Sequence, residues 1–120
     1  MRTSLTTRKK KQTSDPLPTR AAILNTVTEK AFQQQVIRAA TLLGWLVYHT
    51  YDSRRSTPGY PDLTLCKPGK GFFFAELKTE RGHLSHAQKQ WIEALRSNGI
   101  ECYIWRPRDW ENIVKRFQQQ

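Results

Sequence analysis

Two strand-forming runs flank one turn in the middle of this chain, and each carries a carboxylate at the end away from the turn. Asp62-Leu-Thr-Leu-Cys66 is a short apolar run, Lys67-Pro-Gly-Lys-Gly71 is a turn, and Phe72-Phe-Phe-Ala-Glu-Leu-Lys78 is a second run rich in strand formers. Together they predict a β-hairpin. If the turn centres on Gly69, Asp62 faces Glu76. Directly opposed residues have Cβ atoms about 4.5–5.5 Å apart. Side chains alternate faces along a strand, so Glu76 and Lys78 share a face with each other and with Asp62.

Like charges directly opposed are destabilising. A divalent cation between them removes that penalty, and hard oxygen ligands suit Mg²⁺. A lysine beside such a cation can orient an attacking water or help deprotonate it. Two carboxylates and a lysine so placed have the geometry of a metal-dependent phosphodiesterase. The plain alternatives are a strand-start Asp62 after Pro61, a solvated Glu76, and a Lys78 that pairs with Glu76 or Glu80. The Phe-rich run argues against a solvated Glu76, because an unpaired carboxylate in apolar surroundings is costly.

The rest of the chain predicts one α/β domain. The 120 residues suffice for one domain with a real core. A net charge of +10 and a pI near 10.1 point to a polyanionic partner, nucleic acid first among them. Residues 1–20 hold six Lys/Arg against one Asp, including Arg8-Lys-Lys-Lys11, so half of the excess lies there and half in the body. This polar stretch is expected to be a disordered tail, drawn here as residues 1–24, with the folded domain at 25–120. The tail is either a DNA-holding arm or a solvated segment.

A first helix is expected from about Val27 to Leu43, with Phe32, Val36, Ala40 and Leu43 at helical spacing. Trp45–Tyr51 reads as a strand, and residues 52–60 form a basic loop that delivers the chain to Asp62. After the hairpin, Ser85-His-Ala-Gln88 matches a capping box for a second helix ending near Ser97, with Ala87, Trp91, Leu95 and Ile92 as its apolar face. Ile100–Trp105 reads as a fourth strand, and Asp109 as the cap of a last helix from Trp110 to Phe117. The order is α-β-β-β-α-β-α. The first three strands form an antiparallel meander, and the fourth, reached through a helical crossover, lies parallel to a neighbour.

Cys66 and Cys102 read as small core residues and suit a reducing compartment. With His49, His83 and His86 scattered, no zinc-ligand spacing exists. No apolar run is long enough to span a membrane, and Met1-Arg-Thr-Ser4 lacks a signal-peptide core, which points to the cytoplasm.

Pro61-Asp62 with Glu76-Leu77-Lys78, in that element order, resembles the PD-(D/E)xK nuclease superfamily and its restriction-endonuclease-like core, a mixed four-stranded sheet flanked by helices. Within it, Gly59-Tyr-Pro-Asp-Leu63, Ala75-Glu-Leu-Lys78, Leu84-Ser-His-Ala-Gln88 and Trp105-Arg-Pro107 look like the VRR-NUC family, over about residues 29–117. The basic tail lies outside this likeness. The resemblance implies a Mg²⁺- or Mn²⁺-dependent DNA endonuclease. Short viral and bacterial members resemble Holliday-junction resolvases and act as homodimers, so resolution of four-way junctions is the implied activity. A flap, nicking or restriction-like nuclease is the alternative within the enzyme class, and a non-catalytic DNA-binding module the alternative outside it.

The implied roles are these. Asp62, Glu76 and the Leu77 carbonyl hold the metal, and Lys78 positions the water. Glu29 binds the metal through water or holds a second ion, although Thr26-Val-Thr-Glu29 also reads as a capping box. Gln88 is either an active-site residue or the partner of Ser85 in its capping box. Arg54, Arg55 and Arg81, on loops flanking the site, either grip DNA phosphates or are simply solvated. His49 is a conceivable general base but reads better as a structural hydrogen-bonding group. Trp45, Trp91, Trp105 and Trp110 read as core.

Overall fold

The computed structural model describes residues 16–50 and 57–119. Along them run α1 (Arg20–Leu24), α2 (Glu29–Leu42), β1 (Leu46–His49), β2 (Leu63–Lys67), β3 (Gly71–Leu77), α3 (His86–Ser97), β4 (Cys102–Trp105), a 3₁₀ turn at Pro107–Asp109 and α4 (Trp110–Gln118). The hairpin forms because Lys67-Pro68-Gly69-Lys70 is a turn by chemistry. Lys70 N–H donates to Lys67 O (3.0 Å), and Gly69 adopts the positive φ of 73° that the third turn position requires after proline. That turn sets the register: Leu63 pairs with Ala75 and Leu65 with Phe73. Asp62, one residue before β2, thus stands opposite Glu76, as expected.

Among the described residues the sheet runs β1-β2-β3-β4. The first three strands are antiparallel, and β4 lies parallel to β3 after the α3 crossover. This is the mixed α/β sheet that the sequence predicted. One face carries Leu63, Leu65, Phe73, Ala75, Leu77 and Trp105, packed against Phe32, Val36 and Ala40 of α2 and Ile113 and Phe117 of α4. Trp45 is sealed into this core, with its indole N–H donating to Phe117 O (3.0 Å) and its ring edge-on to Phe73 at 5.2 Å. The opposite face carries Phe74 and Cys102 under Ile92 of α3, with Tyr60, Leu84 and Leu95 at the margin. Trp45 and Trp105 are core residues, and Trp91 and Trp110 are half-buried. Cys66 and Cys102 are free thiols on β2 and β4.

Several boundaries differ from expectation for local reasons. The segment drawn as a tail contains α1, which Thr19 caps by accepting from Ala22 N–H (3.1 Å); residues 1–15 lie outside the described residues. Helix α2 is capped by Thr28, which accepts from Ala31 N–H (3.1 Å), and not by Thr26. Thr26 instead donates its hydroxyl to Ile23 O (2.7 Å), which closes α1. On α3 the fully buried residue is Ile92, while Trp91 and Leu95 lie half-buried beside it. Asp109 precedes α4 but does not cap it; its carboxylate accepts from Arg106 N–H (2.8 Å) in the preceding turn. Among the described residues, no helix is long and apolar enough to cross a membrane.

Candidate active site

The site lies where β2 and β3 run out of the sheet. Three features of Gly59-Tyr-Pro-Asp62 deliver Asp62 to it. Gly59 has a φ of 89° and sits on the α3 backbone, where an added Cβ would lie 2.4 Å from the Ala87 carbonyl carbon and oxygen. Both conditions exclude other residues. Tyr60 packs edge-on against Phe74 (5.9 Å) and Trp91 (5.0 Å), and Pro61 is buried. The chain is thus fixed on both sides of Asp62, and Thr50 N–H, just past β1, donates to the Asp62 carbonyl (3.3 Å).

The Asp62 carboxylate accepts from Leu77 N–H (2.8 Å at Oδ2). In an extended strand the N–H and C=O of one residue point to the same side. The Leu77 carbonyl therefore also points toward Asp62. Glu76 is 2% exposed. Its Oε2 accepts from Gln88 Nε2 (2.8 Å) and stands 4.0 Å from Lys78 Nζ, while Oε1 is buried with no hydrogen-bond partner. Gln88 closes the capping box of α3 and also reaches Glu76. Its amide oxygen accepts from Ser85 N–H (2.8 Å), its own N–H donates to Ser85 Oγ (3.1 Å), and its amide nitrogen holds Glu76.

The electrostatics follow from this crowding. Burial, then the neighbouring Asp62 charge, push Glu76 up from 4.5 to about 8, against the opposing pull of Lys78. Asp62 is also raised, chiefly by burial, although the Leu77 N–H, a hydrogen bond with Glu76 and the Lys78 charge all favour its ionised form. Glu29, the first residue of α2, is raised by burial and by the Asp62 charge, against the pull of Lys78, which places its carboxyl within the field of both. Because Thr28 is the cap, Glu29 is free of the capping-box role the sequence offered it.

A divalent cation fits these residues. Oε1 of Glu76 is buried and accepts from no N–H, and a cation beside it and Asp62 would relieve two carboxylates short of counter-charge. Among the described residues no three His, Cys, Asp or Glu side chains gather into a metal cage, so Glu29 does not complete a three-carboxylate set. Mg²⁺ needs no such set; one or two carboxylates, with waters and substrate oxygens, suffice.

The remaining expected residues divide. Arg81 is exposed on the loop after β3. Arg54 and Arg55 lie outside the described residues. His49 pairs with Leu63 and so shares the helix-core face of the sheet, opposite that of Asp62 and Glu76, which disfavours a general-base role. Thr50, Thr57, Pro58, Gly59, Tyr60, Asp62 and Gln88 line a cleft of about 110 Å³. Sequence reasoning did not single out Thr50 or the separate roles of Gly59 and Tyr60; the run Gly59-Tyr-Pro-Asp62 was the available signal.

Comparison with known proteins bears on the family and the fold. The VRR-NUC domain model matches residues 4–109, so the basic tail, expected to lie outside the likeness, falls largely inside it. A Fanconi-associated nuclease 1 homolog from Schizosaccharomyces pombe is 43% identical over 56 residues, which cover 46% of this chain and 8% of that much longer protein. A solved structure described as a VRR_NUC domain superposes with a TM-score of 0.61 at 24% identity, covering 72% of this chain and 94% of its own, and shows the shared fold.

Proposed function

The chain belongs to the VRR-NUC domain family, a nuclease family, and on that premise we propose that it is a metal-dependent, structure-specific DNA endonuclease. The observation that carries this reading is the Asp62–Glu76 pair, with Glu76 buried, Asp62 half-buried, Lys78 4.0 Å from Glu76 and no N–H donating to Glu76 Oε1. A pure binding module has no use for so costly an arrangement. The net charge of +10 supports nucleic acid as the substrate.

Asp62, Glu76 and the Leu77 carbonyl would hold Mg²⁺ or Mn²⁺, with Glu29 reaching it through water. When bound, the cation polarises the scissile phosphate and lowers the pKa of a water. The chain's own residues do the rest. Leu77 N–H and Gln88 Nε2 fix the two carboxylates. Lys78 orients the attacking water and stabilises the negative charge that grows on the phosphate. In-line attack leaves a 5′-phosphate and a 3′-hydroxyl. Arg81, with Arg54 and Arg55, would grip flanking phosphates.

Four-way junctions are the proposed substrate, cut by a homodimer whose two-fold symmetry matches paired incisions. Flap, nicked or linear duplex DNA is the second reading, within the same enzyme class. The test is cleavage of end-labelled junction, flap and linear duplex in Mg²⁺, Mn²⁺ or EDTA, beside Asp62→Asn and Lys78→Ala. Paired, metal-dependent cuts in the junction, reduced about 100-fold or more in both variants, are expected. Cutting of flap or duplex alone would retain the site and discard junction resolution. Tight, EDTA-insensitive binding without cutting would overturn the nuclease reading.

A further inference from the structure

The loops that leave β3 and β4 lie side by side at the site end of the sheet and are tied by one guanidinium. Arg106 Nη1 donates to Thr79 O (2.6 Å) and Gly82 O (2.8 Å), with Glu80 O a longer third acceptor at 3.4 Å. Arg106 is itself held. Its N–H donates to Asp109 Oδ2, Asp109 N–H returns to its carbonyl, each at 2.8 Å, and its neighbours Trp105 and Pro107 are buried. Arg108 N–H adds a second tie, to Glu80 Oε2 (2.8 Å).

Lys78 is the first residue past β3. On one side its backbone is anchored by the sheet, its N–H donating to Trp105 O (2.9 Å). On the other side the chain enters the Thr79–Gly82 loop, whose first and last carbonyls both converge on Arg106. We propose that Arg106 is a positioning residue for Lys78, and through the same loop for Arg81 at its tip. This rests on the reading of Lys78 as catalytic. A guanidinium suits the task because it is planar, always charged and rigid. Placed on a core-anchored turn, it fixes the chain one residue beyond Lys78, so the ammonium stays near Glu76 without being tethered through its own side chain. The contacts of Arg106 involve neither Asp62 nor Glu76, so its loss leaves the metal ligands in place.

The test compares Arg106→Met, which keeps the stem and removes the donors, with Arg106→Lys, which restores a charged donor. Three quantities are read on the full chain: single-turnover rate at saturating DNA and metal, KM for DNA, and hydrogen exchange of the 78–82 amides. A misplacement of about 1 Å can cost about 100-fold in rate. Arg106→Met is therefore expected to lose roughly 10- to 100-fold in rate, to keep an intact melting transition, and to lose exchange protection at 78–82, with Arg106→Lys recovering part of the rate. An unchanged rate in a folded Arg106→Met protein overturns the proposal, as does a loss that falls wholly on KM. Should Arg106→Met not fold, Arg106→Gln decides by the same criteria. If the wild-type protein cuts no DNA, the catalytic reading of Lys78 fails separately. Exchange then decides for the clamp: lost protection in Arg106→Met sustains it, and unchanged protection removes it.

Discussion

Without a cation, Glu76 should destabilise the fold above neutral pH, and replacing it by glutamine should make the protein more stable. Glu76 ionises near 4.5 in an unfolded chain and near 8 in the folded one. A raised native value means that the native state holds the proton more tightly. The stability this group contributes is therefore complete below pH 4.5 and is lost as pH rises through 8. At 1.36 kcal/mol per pKa unit, the shift is worth up to about 5 kcal/mol. Asp62 is raised too and lies beside it, so the pair shares the cost, and we expect Glu76→Gln to gain about 3 kcal/mol at pH 8.5. At pH 5 the expected gain is under about 1 kcal/mol, because Glu76 is already protonated in the native state. The isostere fits: its amide oxygen can accept from Gln88, and its amide nitrogen can donate to Asp62.

Urea unfolding in EDTA at pH 5 and pH 8.5 reads this directly. With a slope of about 1.5 kcal/mol/M, the gain moves the midpoint by about 2 M. Mg²⁺ should stabilise the wild-type protein at pH 8.5 and leave Glu76→Gln nearly unmoved, since binding only to the native state raises stability. Equal midpoints at pH 8.5, or a gain as large at pH 5, would refute the argument that Glu76 is a buried carboxylate held for a missing charge.

Gly59→Ala should cost at least about 2 kcal/mol, because a methyl there meets the Ala87 backbone at 2.4 Å and the φ of 89° is strained for alanine; thermal melts check it, and a change under 0.5 kcal/mol would sink the account of how Asp62 is delivered. Gln88→Leu should remove the side-chain half of the capping box and the Glu76 hydrogen bond while keeping its backbone bond to Ser85 Oγ, costing about 1 kcal/mol of stability and about 10-fold or more in cleavage rate. Ser85→Ala removes the hydroxyl half of the cap while leaving the Glu76 bond, so comparing their rates separates the two roles of Gln88.

The hairpin was legible because its turn chemistry is local. Pro68-Gly69 admits one arrangement, that arrangement fixes the register, and the register alone brings Asp62 opposite Glu76. Helix starts were less legible because one-dimensional patterns compete. Thr26 and Thr28 are both plausible caps, and Glu29 stands three residues after the first of them. The choice is made by α1, whose last turn consumes the Thr26 hydroxyl. Likewise Asp109 precedes a helix as a cap would, but the Arg106 N–H lies closer. The apolar face of α3 was read at Ala87, Trp91, Leu95 and Ile92, and the structure buries Ile92 fully while the other three lie half-buried. Adjacent residues differ by only 100° around a helix, and Trp91 and Ile92 are both apolar.

What the sequence could not display is how the site is braced, because the bracing is long-range and much of it acts on backbone. Gly59 is needed for the space it leaves over Ala87, and Arg106 for carbonyls 24 and 27 residues away. Neither contact leaves a periodic or compositional trace. Both act on the chain just outside the charged residues, one before Asp62 and one after Lys78, while Gln88 holds the carboxylate between them. The three braces come from three different connections, so losing any one leaves the other two anchored. It follows that Gly59→Ala and Arg106→Met should each lower the cleavage rate by different routes, and their free-energy effects on rate should add when combined. A combined loss well short of the sum would mean that both act on one shared element, and that the loop before Asp62 and the loop after Lys78 move together.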